Sequence, residues 1–143
     1  MGADSRRVLI ADADLALRQQ LFSALLDHDI FSDCVGNTTD SLEKLSSEKY
    51  GVVVIDLALP PGDIERVITC IAAMPPAERP VVLVLASNPE QARSLDVDIV
   101  QIVLRRPVHL RQLVDVVRSC IRSATLRPGV TQRRATDEDQ LIS

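Results

Sequence analysis

Residues 51–56 read GVVVID. Four β-branched residues run without a polar break into an aspartate. A strand with one face in water would alternate, so an unbroken run implies cover on both faces, as in a parallel sheet. The same pattern recurs at Val8–Ala11, Val81–Ala86 and Val100–Arg105, and more weakly at Ile30–Val35. Between these runs the spacing changes to that of helices. Leu17, Leu21, Ala24 and Leu25 share one face, with Asp14 placed to cap the helix over residues 15–27. Thr38 or Thr39 is expected to cap a helix over 40–48, with Leu42 and Leu45 turned inward. A third helix is expected over 63–74, stopped by Pro75-Pro76, and a short fourth over 89–95. The last runs over 108–124 on Leu110, Val114, Val117 and Ile121.

Strand and helix alternate five times. That order predicts an α/β, flavodoxin-like, doubly wound five-stranded parallel sheet, (βα)5. The domain is read as residues 6–125, and the polar stretch 126–143 as a flexible tail or linker. Those 18 residues are too few for a helix-turn-helix domain.

Composition narrows the classes of function. The chain has 143 residues, 25% of them charged, and a net charge of −4. That balance gives no electrostatic case for direct nucleic-acid or membrane binding, which would want a basic face, so neither is expected. No apolar run is long enough to span a bilayer and MGADSRR lacks a signal-peptide core, so a cytoplasmic location is expected. Cys34, Cys70 and Cys120 lack metal-type spacing and are read as buried free thiols. Neither GxxxxGK[ST] nor GxGxxG is present, and no Ser-His-Asp set is visible, so an enzyme is not expected.

In an open α/β sheet, functional groups gather beyond the carboxyl ends of the strands. Here those ends carry Asp12, Asp56, Leu85 to Ser87, and Arg106-Pro107. Taken alone, Asp56 can equally be a cap for the segment that follows it. Asp14 is two residues beyond Asp12, but the cap role takes it away from the site.

VLIADAD, VVVIDLALPPGD, PVVLVLAS and VLRRPVHLRQL, in that order, resemble the words of a response regulator receiver domain. That domain is the phosphoacceptor module of two-component signalling. The resemblance implies that Asp56 is the phosphoacceptor position, with Pro60 four residues on. It implies Mg²⁺ ligation by Asp12, Asp56 and the backbone carbonyl of Ala58. Asp63 matches an acid after the acceptor loop, though Ile64 replaces the usual glycine. Arg106 stands for the family's Lys, in an X-Pro bond expected to be cis, and Ser87 is a substitute phosphoryl contact or else a loop or capping serine.

Three positions depart from the pattern. Ala13 replaces the second acid, Leu85 the Thr or Ser, and Val103 the switch aromatic. Two carboxylates about 4 Å apart repel by roughly 4 kcal/mol at an effective dielectric near 20, and a metal relieves that repulsion. With Ala13 both repulsion and metal affinity fall, so Mg²⁺ is expected to be weakly bound or absent. Arg106 can instead bridge both carboxylates bidentately. The resemblance thus implies an atypical receiver that signals mainly through protein–protein interaction, with impaired Mg²⁺-dependent phosphorylation. The alternative is a conventional receiver switched by phosphorylation of Asp56. Implied partners are a histidine kinase or another signalling protein, or a second copy docked through the last strand and last two helices. Arg93, Arg105, Arg111, Arg118 and Arg122 would lie on that face, or simply on a solvated one. His109 is expected to face solvent at the entry to the last helix.

Overall fold

The computed structural model describes residues 7–60 and 64–126. The strands are β1 (Arg7–Ala11), β2 (Phe31–Val35), β3 (Val52–Asp56), β4 (Val81–Ala86) and β5 (Val100–Arg105). The α-helices are α1 (Leu15–Leu26), α2 (Thr38–Ser47), α3 (Ile64–Ala72) and α4 (Leu110–Leu126). All strand pairs are parallel, in the order β2-β1-β3-β4-β5. This is the doubly wound arrangement expected from the uninterrupted apolar runs.

Side-chain alternation divides the interior into two cores. Leu9, Val53, Ile55 and Val84 face α2 and α3, with Val67 and Ile71 packed on them. Val8, Ile10, Val54, Leu83 and Leu85 face the other way, against Leu21, Leu25, Leu113 and Val117. Each of these fully buried aliphatic side chains contributes on the order of 2 kcal/mol of transfer free energy. The β3 and β4 runs therefore have no polar positions to alternate with.

Helix ends follow local chemistry. Asp14 Oδ1 accepts from the Leu17 N–H at 3.2 Å, which is the expected cap of α1. At the other end of α1, Asp29 adopts φ 62°, and Asp29 and Ile30 donate to Leu26 and Leu25 at 2.9 and 3.0 Å. An Asp does here what a glycine does at most such helix ends. The cap of α2 is Asn37, whose Oδ1 accepts from the Asp40 N–H at 2.8 Å. Thr38 and Thr39 instead open the helix, because Asn37 already holds the extended backbone that a cap requires. Arg79 donates to the carbonyls of Met74 and Ala72 at 3.0 and 2.8 Å, satisfying acceptors that the end of α3 leaves open.

Two expectations need correction. The fourth crossover holds no α-helix but a 3₁₀ segment, Pro89–Ser94, with Asn88 Oδ1 accepting from the Glu90 N–H at 3.1 Å. Only Ala92 of this segment is buried, so too little apolar surface is on offer to pull it into longer helical form. The cysteines also divide: Cys120 is buried, Cys70 is half-buried, and Cys34 is exposed. Cys34 lies on β2, an edge strand, where the sheet has no further neighbour to cover it. The proposed tail lies outside the described residues, apart from Leu126 at the end of α4.

At the amino-terminal edge of the sheet, Arg7 Nε and Nη2 donate to Asp33 at 3.2 and 3.3 Å. The Tyr50 hydroxyl donates to the same carboxylate at 2.7 Å. Burial and this bond push the Tyr50 phenol well above its ordinary value.

The cysteine environments predict an order of reaction. Burial pushes the Cys120 thiol up to about 11, which with its inaccessibility leaves little reactive thiolate. In native protein at mildly alkaline pH, an aromatic disulfide reagent should label Cys34 first and spare Cys120. Unfolding in denaturant should release Cys120, as peptide mapping of the labelled protein would show.

Candidate functional site

Chain register brings the sequence-predicted groups to one edge. Asp12 follows β1 directly, Asp56 closes β3, and Leu85 pairs with Asp56 in the β3–β4 ladder. The three share the strand face that packs against α1 and α4, because each is an even step from a residue of that core. Arg106 follows β5, its N–H donating to the Ala86 carbonyl at 2.9 Å. The Arg106-Pro107 bond is cis, as expected.

Asp12 is 1% exposed. Its Oδ1 accepts from the Asp14 N–H at 2.9 Å, and its Oδ2 is paired with Arg106 Nη2. The same nitrogen lies 3.4 Å from Asp56 Oδ2. Asp56 Oδ1 accepts from the Ala58 N–H at 3.0 Å. The guanidinium therefore does bridge the two carboxylates, but through one nitrogen rather than through the two arms of its fork. Burial pushes the Asp12 carboxyl above its ordinary value, and the Asp56 charge adds to the rise. The Asp14 N–H and Arg106 pull against it.

Asp56 opens onto a cleft of ≈ 600 Å³ whose wall includes Leu57, Ala58, Ile64, Ser87, Gln91 and Arg106. Ser87 thus stands on the rim of the site, exposed, while Leu85 is fully buried beside Asp56. A hydrocarbon side chain occupies the place in the ladder where a hydroxyl could have donated to an acceptor on Asp56. Val103 is half-buried and packs toward α3 and the 3₁₀ segment. Asp14 is committed to its cap, and Asp63 lies outside the described residues. His109 is exposed, and its carbonyl accepts from Leu113 N–H at 3.0 Å at the start of α4.

Sequence reasoning did not identify Gln91 on the cleft wall, because its place depends on the 3₁₀ path of the crossover. It read Thr38 only as a candidate helix cap. Its N–H donates to Pro60 O at 2.7 Å, tying α2 to the loop after Asp56, while its buried hydroxyl has no partner.

Mg²⁺ takes hard oxygen ligands in strict octahedral geometry, and at this edge the acids on offer are Asp12 and Asp56. Both oxygens of each carboxylate already face an N–H donor or the guanidinium. Among the described residues, no group of three or more His, Cys, Asp or Glu side chains could hold a metal ion.

Breaking the bridge should be costly on one side only. Arg106→Ala leaves the Asp12 carboxylate buried and unpaired, and should lower stability by about 2–4 kcal/mol. Asp56→Asn relieves like-charge repulsion while losing a longer, more solvated pairing, and should change stability by less than about 1 kcal/mol. Urea unfolding midpoints at neutral pH measure both.

No protein-family model matches the sequence, and no curated protein matches it. Solved structures do match in shape. The signal receiver domain of a putative LuxO repressor protein from Vibrio parahaemolyticus aligns with TM-score 0.73 at 20% identity, over 84% of this chain and 92% of that one. A response regulator signal receiver domain from Bermanella marisrubri aligns with TM-score 0.71 at 23% identity, over 82% and 99%. The beryllofluoride-activated NtrC4 receiver domain dimer aligns with TM-score 0.72 at 19% identity, over 83% and 98%. With its five parallel strands and its acids at their carboxyl edge, this chain has the CheY-like fold of response regulator receiver domains.

Proposed function

We propose that this chain is an atypical, non-catalytic receiver domain that takes part in signal transduction mainly by binding other proteins. The observation that carries the reading is the Arg106 guanidinium shared between Asp12 and Asp56. Phosphorylation would turn the Asp56 carboxylate, at −1, into an acyl phosphate that carries roughly 1.5 to 2 negative charges in all. Arg106 is the one cation among the described residues lining the cleft, and it is already committed to two carboxylates. Leu85 has no donor to offer the added oxygens. Capacity for acceptance and capacity for readout are both reduced.

A specific observation supports the conventional reading as well. The Asp56 side chain keeps 13% exposure and faces the open cleft, with Ser87 on its wall. A small phosphodonor has room to reach it.

The reading implies a histidine kinase or another signalling protein as partner, or a second copy of the chain. The related NtrC4 receiver structure is a dimer. In this chain Arg105, Arg111 and Arg122 are exposed on and after β5, with Asp115 exposed among them on α4. Charges of both signs on one face can pair across a two-fold axis. The other helical element of that face is the 3₁₀ segment, which carries an exposed Arg93. No described helix is long and apolar enough to cross a membrane.

Acetyl phosphate with Mg²⁺ tests the reading through the intact mass. Wild-type protein should show no phosphoryl adduct, matching an Asp56→Asn control. An adduct absent from the control, formed as Asp56 displaces acetate from phosphorus, would establish the conventional reading instead. Light scattering should give the same molar mass with and without acetyl phosphate, since the proposed contacts do not wait on a phosphoryl group.

A further inference from the structure

Resting on that reading, we infer that Arg106 is the resident cation of the pocket, and that it, more than Ala13, decides that the site takes no divalent metal. Asp12 and Asp56 together carry −2 and Arg106 returns +1, so the set presents −1 rather than −2 to an incoming ion. Asp12 is 1% exposed, whereas the Arg106 side chain keeps 24% exposure. The more deeply buried partner is the one that cannot do without its counter-charge, because a buried charge stripped of its partner is costly. An incoming cation must therefore displace the guanidinium from Asp12 and then remain beside it.

Directional bonds add to the barrier. Asp12 Oδ1 accepts from the Asp14 N–H at 2.9 Å, and Asp56 Oδ1 from the Ala58 N–H at 3.0 Å. Each of those N–H groups takes one lone pair of an oxygen that a metal could also use. The remaining two oxygens face Arg106 Nη2. A new carboxylate at position 13 would supply a ligand but would remove none of these donors. It would also gain a favourable interaction with Arg106 itself.

Arg106 is tethered as a freely diffusing ion is not. Its backbone N–H bonds Ala86 O at 2.9 Å, so the charge arrives from the junction of β4 and β5. The bridge links the ends of β1, β3 and β5 without calling on a metal. Coupling among these strand ends is a fixed property of the fold, not one that rises and falls with metal supply.

The test is binding of Mn²⁺ alone, read from the electron paramagnetic resonance signal of the free ion. Three proteins are compared: wild type, Ala13→Asp, and Ala13→Asp combined with Arg106→Gln. Glutamine keeps a donor for Asp12 and removes the charge. Wild type and Ala13→Asp should both bind weakly, with dissociation constants in the millimolar range or above. The double variant should bind at least about tenfold more tightly than Ala13→Asp, since ligand charge and site rigidity tune such sites over decades.

Tight binding by Ala13→Asp alone would overturn the inference, as would a folded double variant that binds no better than it. Circular dichroism establishes folding. Should the double variant not fold, the Ala13→Asp arm decides: weak binding supports the inference and tight binding overturns it. Wild type that binds tightly in an Asp56-dependent way, yet forms no phosphoryl adduct, would overturn the inference and leave the functional reading standing. An adduct on Asp56 overturns the functional reading whatever Mn²⁺ does.

Discussion

Burying Asp12 obliges the molecule to hold a positive charge at the carboxyl edge of its sheet. An isolated carboxylate in such a place would either neutralise or unfold its surroundings. Arg106 meets that demand, and much of the site follows from it. The guanidinium lies between β1 and β3 because β5 ends where its side chain can reach across β4. Asp56 shares the same nitrogen because β1 and β3 are neighbours and both acids fall on one face of the pleat. Leu85 fills the adjoining position with hydrocarbon, so β4 brings no polar group into the arrangement.

The metal and phosphoryl questions reduce to this allocation of one cation. A pocket with three carboxylates is strongly negative and draws a divalent ion from solution. A pocket with two carboxylates and an arginine keeps a single net negative charge. Ala13, Leu85 and the placement of Arg106 all bear in the same direction, although they lie on three different elements of the chain.

Much of this was readable from the residues. The unbroken apolar runs at Val52–Ile55 and Val81–Val84 specify a sheet covered on both faces, and their aspartate and leucine ends fix what sits at its edge. The Asp14 cap and the Arg106 bridge follow from side-chain chemistry alone. What resisted reading depends on tertiary context. Asn37 and Thr38 are both good capping types, and backbone conformation decided between them. The crossover over Pro89–Ser94 has helix-compatible residues but too few buried contacts, and Gln91 reaches the cleft only through its tighter path. Cys34 is exposed because of where its strand sits in the sheet order, which no local pattern encodes.

The Arg7–Asp33–Tyr50 cluster at the opposite edge acts on the alignment of the outermost strand. Asp33 stands beside Leu9 in the β1–β2 ladder and receives donors from β1 and from the lead-in to β3. Sliding β2 by a single residue would carry Asp33 to the other side of the sheet and leave the Tyr50 hydroxyl, 3% exposed as a residue, with nothing to donate to. An edge strand without such a fastening can exchange between molecules or recruit foreign strands. Here the polar triad keys β2 to one alignment with its inner neighbour.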